Sequence, residues 1–241
     1  MSGIANQSSG VEDKFEAARQ EMVARQLRAR GIASLRVLHA MASVPRHLFV
    51  SSDQAASAYS DEPLSIGSGQ TISQPFMVAA MSEALSLQGT ERVLEVGAGS
   101  GYQAAILSLL ARNVTAIEAQ PELASRARDR LSRLGYTNVR VEVGDGSMGW
   151  PPVTNSPGST VALYEAILVA AAAPTIPPPL VKQLAEGGRL VIPVGKSDHQ
   201  ELVRIVKRNG SISQESLFAC RFVPLLGHFG WHPIAQGLPR E

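Results

Sequence analysis

A chain of 241 residues and 25.6 kDa has room for one α/β domain with appendages or for two small domains, and 44% hydrophobic against 18% charged residues is globular rather than disordered composition. Twenty-two Lys+Arg against 21 Asp+Glu leave a net charge of +1, without the basic bias of a nucleic-acid binder. The single cysteine, Cys220, excludes an internal disulfide framework and a thiolate metal cluster.

Residues 1–11 are small and polar and read as a flexible tail, without the basic and apolar regions of a signal peptide. A helix is expected over 12–30, with Phe15, Ala18, Met22 and Leu27 roughly on one face and Gly31 as its C-cap. Arg19, Arg25, Arg28 and Arg30 read as its solvated face. A second helix covers 34–41 and stops before Pro45. Residues 51–75 are rich in turn formers and read as a long loop, of the kind that is functional in a compact domain. Residues 76–87 return to helix, so 12–90 forms a helical cap with a lid or substrate loop.

From residue 91 the chain alternates strand and helix. Strands are expected at 92–96, 113–118, 138–143, 165–171 and 189–194, with starts 21 to 27 residues apart. That spacing is one βαβ repeat and implies a parallel sheet with helices on both faces. Helices fall between the strands, through Ala111, over 121–134 and at about 179–184. The Pro/Ser-rich segment 151–159 reads as a surface loop. Residues 201–208, Asn209-Gly210 and a run ending at 217–225 read as an antiparallel edge hairpin. The longest apolar stretch, 161–174, has 14 residues and contains Glu165, whereas a membrane span needs about 20. A cytoplasmic monomer without nucleic-acid or membrane partners is therefore expected.

The chemistry concentrates in Glu95-Val96-Gly97-Ala98-Gly99-Ser100-Gly101, which follows a strand and opens a helix. Glu118 ends the second strand, 21 residues after Gly97, where its carboxylate can accept from two ribose hydroxyls. Asp145 ends the third strand beside Gly146, in reach of an adenine. All three acids stand at carboxyl ends of parallel strands, where open sheets bind ligands. The spacing is G-x-G-x-G rather than the dinucleotide G-x-G-x-x-G, and Glu95 would repel a pyrophosphate. A cationic, phosphate-free cofactor fits these acids, namely S-adenosylmethionine. A nicotinamide cofactor or a turn with no ligand stays open on the residues alone. His228 and His232 lack a third ligand, so no metal is expected. Cys220 reads as a core residue.

Segments 44–46 (VPR), 66–77 (IGSGQTISQPFM), 93–105 (VLEVGAGSGYQAA), 143–150 (VGDGSMGW), 171–195 and 221–225 (RFVPL) together resemble the protein-L-isoaspartate O-methyltransferase family over about residues 23–231. The glycine loop is shared by most class I methyltransferases, whereas 69–75 (GQTISQP) is particular to this family. The resemblance implies a Rossmann-like class I fold. It also implies transfer of a methyl group from S-adenosylmethionine to the α-carboxylate of L-isoaspartyl residues in damaged proteins, leaving S-adenosylhomocysteine. It further implies Ser73 as the active-site residue, with Gln70, Thr71, Ile72, Glu95, Gly97, Gly99, Gly101, Glu118, Asp145 and Gly146 around the cofactor. Arg46, in a matching segment, is a candidate for meeting the acceptor. Ser65, Glu165, Ala170 and a long 151–163 loop depart from the family pattern. Two rival readings are a class I methyltransferase with another acceptor and a non-catalytic binding module. On the residues alone, Ser73 also reads as an N-cap for the helix beginning near Pro75.

Overall fold

The computed structural model describes residues 14–152, 161–196 and 198–231. The tail at 1–11, all but the first two residues of the 151–159 loop, and His232 lie outside these.

Helix α1 spans 14–21 and continues as a π-helical stretch at Met22–Leu27 and a 3₁₀ turn at Arg28–Arg30. The expected helix is thus present but not regular. Met22 and Leu27 are five residues apart, and the wider π winding is what lets both be buried. Gly31 ends the element at φ 98°, in the left-handed conformation a C-cap requires. Not all of the arginines form a solvated face. Arg19 Nε donates to Ala42 O at 2.6 Å, and Arg30 pairs with Asp61 and lies 3.7 Å over the Phe76 ring. Helix α2 (Leu35–Ser43) is capped by the Ser34 side chain, which accepts from the Val37 N–H.

The 51–75 segment is more ordered than its sequence suggests. It holds a 3₁₀ helix at Ser52–Ser57 and a small antiparallel hairpin, β1 (Leu64–Gly67) and β2 (Gln70–Ile72). Strands of four and three residues are too short to show an alternating pattern. Helix α3 (Pro75–Ala84) follows directly.

The main sheet has seven strands in the order β5-β4-β3-β6-β7-β8-β9. They are β3 (Arg92–Val96), β4 (Asn113–Glu118), β5 (Val139–Val143), β6 (Tyr164–Val169), β7 (Leu184–Lys196), β8 (His199–Arg208) and β9 (Ser211–Cys220). The first five are parallel, and β8 and β9 add antiparallel pairs at one edge. Helices α4 (Tyr102–Ser108), α5 (Pro121–Arg133) and α6 (Pro178–Gln183) connect the parallel strands. The last strand begins at Ser211, straight after the Asn209-Gly210 turn as expected, but ends at Cys220 rather than running to 225. It is an exposed edge, so its first half carries no apolar alternation, and 221–225 leaves the sheet.

Glu165, one of the departures, joins the start of β6 to that of β3, accepting from Arg92 N at 2.8 Å, Nε at 3.1 Å and Nη2 at 2.6 Å. One continuous core joins Met22, Leu38, Phe49 and Met81 of the cap to Val93, Ile106 and Val191 of the sheet layer. The chain runs outward from β3 to β4 and β5, then returns to β6 on the other side of β3. The crevice at the carboxyl ends of β3, β4 and β6 is the topological switch point, where an open α/β sheet takes its ligand.

Candidate active site

The glycine loop occupies that crevice. Gly97 and Ala98 N–H both donate to Ile117 O, at 2.8 and 3.1 Å, which ties the loop to β4. Gly97 sits at φ 94° and Gly101 at 87°, a region side chains rarely adopt. A Cβ on Gly101 would also lie 3.2 Å from Leu131 Cδ1. Glu118 sets the far wall. Its Oε2 accepts from Gly99 N–H at 2.8 Å and its Oε1 from Gln120 N–H at 3.0 Å. Each oxygen keeps a lone pair for a ligand hydroxyl, and the residue lines the pocket while only 6% exposed.

Glu95 is sealed beneath the loop. It is 0% exposed, and neither carboxyl oxygen has a hydrogen-bond partner among the described residues. Burial, and then the charge of Glu118, push its carboxyl well above the usual carboxylate range.

Asp145 does something other than face the pocket. Its Oδ1 accepts from Ser147 N–H at 2.9 Å and Ser147 Oγ at 2.6 Å, and its Oδ2 accepts from His228 N–H at 2.7 Å. Ser147 Oγ in turn accepts from Phe229 N–H at 3.0 Å. The carboxylate therefore clasps the C-terminal segment, while its neighbours Gly144 and Gly146 form the wall. A Cβ on Gly146 would lie 2.4 Å from Val96 Cγ1. Gly146→Ala is expected to destabilise the fold by about 1–3 kcal/mol, read as a lowered thermal midpoint, with cofactor binding weakened in parallel.

The β1–β2 hairpin and the turn into α3 roof the pocket with Gln70, Thr71, Ile72 and Ser73. Ser73 is half-buried, and its hydroxyl makes no hydrogen bond among the described residues. The capping alternative is not realised. The N-cap position is Gln74 without a side-chain bond, and Asp61 Oδ1 accepts from Phe76 N–H at 3.0 Å instead. The hydroxyl of Ser73 is thereby left free at the junction of two chambers, because Thr71, Ser73, Ala170 and Val223 line both the cofactor pocket and an outer groove of about 270 Å³.

Arg46 meets neither chamber. It is 0% exposed, donates from Nε to Ala58 O at 2.7 Å and packs 4.9 Å from the Tyr102 ring, so its place is inside the cap. The wall at 223–226 has no assigned role in the sequence reading. Val223 O accepts from Ala172 N–H and Leu225 N–H donates to Ala172 O, each at 2.8 Å, which brings this segment over the pocket. Pro224 lies in this wall, four residues beyond the end of β9 at Cys220, and forms an isolated bridge with Ala172. His228, the candidate metal residue, stacks edge-on against Phe229, and no cluster of three or more His, Cys, Asp or Glu exists among the described residues. Cys220 packs against the core, where burial, and then Glu201, push its thiol up to about 11.

The pocket's charge decides which cofactor fits. Glu118 is its only charged wall residue, Glu95 lies buried below, and no Lys, Arg or His lines it among the described residues. Nothing there compensates a pyrophosphate, whereas an ammonium and a sulfonium without phosphate are electrostatically matched. Fold and pocket together define a class I, S-adenosylmethionine-dependent methyltransferase.

A family model for protein-L-isoaspartate(D-aspartate) O-methyltransferase matches residues 18–229, and the chain belongs to that family. It is 52% identical over 219 residues to a protein-L-isoaspartate O-methyltransferase of Methanoculleus marisnigri, covering 91% of this chain and 96% of the relative. It is 52% identical over 218 residues to protein-L-isoaspartate O-methyltransferase 2 of Geotalea uraniireducens, covering 90% and 97%. A solved Plasmodium falciparum protein-L-isoaspartate O-methyltransferase in complex with S-adenosyl-L-homocysteine superposes with a TM-score of 0.72 at 27% identity, over 86% of this chain and 98% of that one. Among the described residues no helix is long and apolar enough to cross a membrane.

Proposed function

We propose that the protein is a repair enzyme that methylates the α-carboxylate of L-isoaspartyl residues, acting as a cytoplasmic monomer on damaged proteins. The observation that carries this reading is the Ser73 hydroxyl, unbonded among the described residues, on the wall shared by the cofactor pocket and the outer groove. When bound, S-adenosylmethionine supplies an electrophilic methyl group and leaves as S-adenosylhomocysteine.

The chain's own work is then positional. Glu118 holds the ribose hydroxyls, and Gly97, Gly99 and Gly101 let the backbone approach the ligand. Gln70, Thr71 and Ile72 cover it and exclude water. Gly146 and Gly144 shape the adenine end. Glu95 offsets the ligand's positive charge from below. The acceptor carboxylate is ionised at neutral pH, so no general base is needed. Ser73 Oγ donates a hydrogen bond to one acceptor oxygen and aims the other along the line of transfer. The backbone amide nitrogen then attacks the ester carbonyl, methanol leaves, and water reopens part of the resulting succinimide as aspartate.

Methyl transfer to an isoaspartyl peptide, with the aspartyl isomer as control, tests the reading. Base-labile label on the isoaspartyl peptide alone supports it. Label on neither, with cofactor bound, points to a binding module and overturns it, as does label on an unrelated acceptor only. Ser73→Ala is expected to lower turnover at least tenfold, while affinity for S-adenosylhomocysteine stays within about threefold. Unchanged turnover would remove Ser73 from the reaction.

A further inference from the structure

Beyond the residues shared with the cofactor pocket, the outer groove is lined by Pro63, Gln74, Met77, Arg221 and Phe222. Among the described residues Arg221 is the one charged residue lining it. Its side chain is exposed and has no hydrogen bond or ion pair among the described residues. Yet the backbone that presents it is fixed. Gln200, 5% exposed, uses its side-chain amide as a surrogate strand. Its Oε1 accepts from Phe222 N–H at 2.7 Å, and its Nε2 donates to Phe222 O at 3.2 Å. One residue further on, Val223 is held by Ala172. A free guanidinium on a rigid anchor, beside an otherwise uncharged groove, is arranged to read a charge on whatever lies there.

The geometry also says which charge. Val223 stands on the wall shared with the cofactor pocket, and Arg221 lies two residues outward, about 6–7 Å along extended chain. An extended acceptor advances about 3.3 Å per residue. That backbone offset matches a residue flanking the reacting one rather than the carboxylate that attacks. A guanidinium on the attacking carboxylate would also draw electron density from it. We propose that Arg221 is a specificity-determining residue, selecting isoaspartyl acceptors with a carboxylate side chain within two residues of the isoaspartyl position. This rests on the acceptor reading above.

The test uses isoaspartyl peptides that differ at one flanking residue, Glu, Gln or Lys, placed before the isoaspartate in one set and after it in another. The wild-type kcat/KM is expected to favour Glu over Lys by about fivefold to tenfold in at least one set at low ionic strength. The ratio should fall towards about twofold in ~0.5 M salt, because an exposed pair is screened. Arg221→Ala should bring the three peptides within about twofold of one another, and Arg221→Glu should reverse the order. Binding of S-adenosylhomocysteine by both variants confirms that they are folded. Methylation of every peptide with no flanking preference, or a preference that survives Arg221→Glu, overturns the inference and leaves the repair reading intact. No transfer to any isoaspartyl peptide overturns both.

Discussion

Glu118→Ala is expected to weaken binding of S-adenosylhomocysteine at least a hundredfold, measured by titration calorimetry. Glu118 acts twice. Its two oxygens take Gly99 N–H and Gln120 N–H at 2.8 and 3.0 Å, which fixes the glycine loop and the start of α5. In the proposed reading the same oxygens offer their remaining lone pairs to the ribose hydroxyls. Hydrogen bonds to a charged group are worth about 1.5–3 kcal/mol each, so losing two costs about 3 kcal/mol or more. At 1.4 kcal/mol per tenfold, that alone is about a hundredfold. Glu118→Gln should fall between wild type and Ala. Its amide oxygen can keep one N–H bond, but its NH₂ would face the other backbone N–H. A loss of affinity below about threefold for the Ala variant would show that Glu118 serves the loop only and not the ligand.

How far such a site can be read in sequence depends on how local its cause is. The parallel strands and the crevice were legible because burial on both faces writes near-continuous apolar runs such as Val93–Val96, broken only by Glu95, and Ala166–Val169, and because glycine marks the turn after β3. Gly31 and the Asn209-Gly210 turn were legible because each needs a left-handed backbone. What failed was set by distant partners. The β1–β2 hairpin is too short for a pattern. The cap of α3 comes from Asp61, 15 residues upstream of Phe76, so the residues next to Pro75 gave the wrong candidate. The tie of Asp145 to the C-terminal segment was also out of view, because His228 N–H reaches it from 83 residues away. Arg46 has the charge of an acceptor-binding residue, and only the packing of the cap shows that it is buried beside Tyr102. Residue type reports what a side chain can do, and the fold decides which of those uses is taken.

Glu95→Gln should separate the stability of the free protein from its affinity for the cofactor, moving them in opposite directions. Without ligand, both carboxyl oxygens are buried and unpartnered, and a buried polar group without a bond costs about 1–3 kcal/mol, more for a charge. Burial, followed by repulsion from Glu118, raises the carboxyl well above its usual range. The folded state thus holds this proton more tightly than the unfolded chain, which releases it near pH 4.3. Stability of the free protein must then fall as pH rises from the unfolded value through the folded one, and level off above it. Glu95→Gln removes that slope, so at pH 7–8 the free variant should melt higher than wild type. The ligand reverses the balance. Its ammonium favours the ionised carboxylate, so binding by wild type should strengthen with rising pH across the same window and release protons. The variant has no charge to offer and should bind about tenfold more weakly, with little pH dependence. Thermal midpoints and calorimetry in buffers of different ionisation enthalpy measure both. Equal affinity for the two proteins at pH 8 would show that the acid below the glycine loop is a structural cost only, and that Glu118 alone meets the ligand's charge.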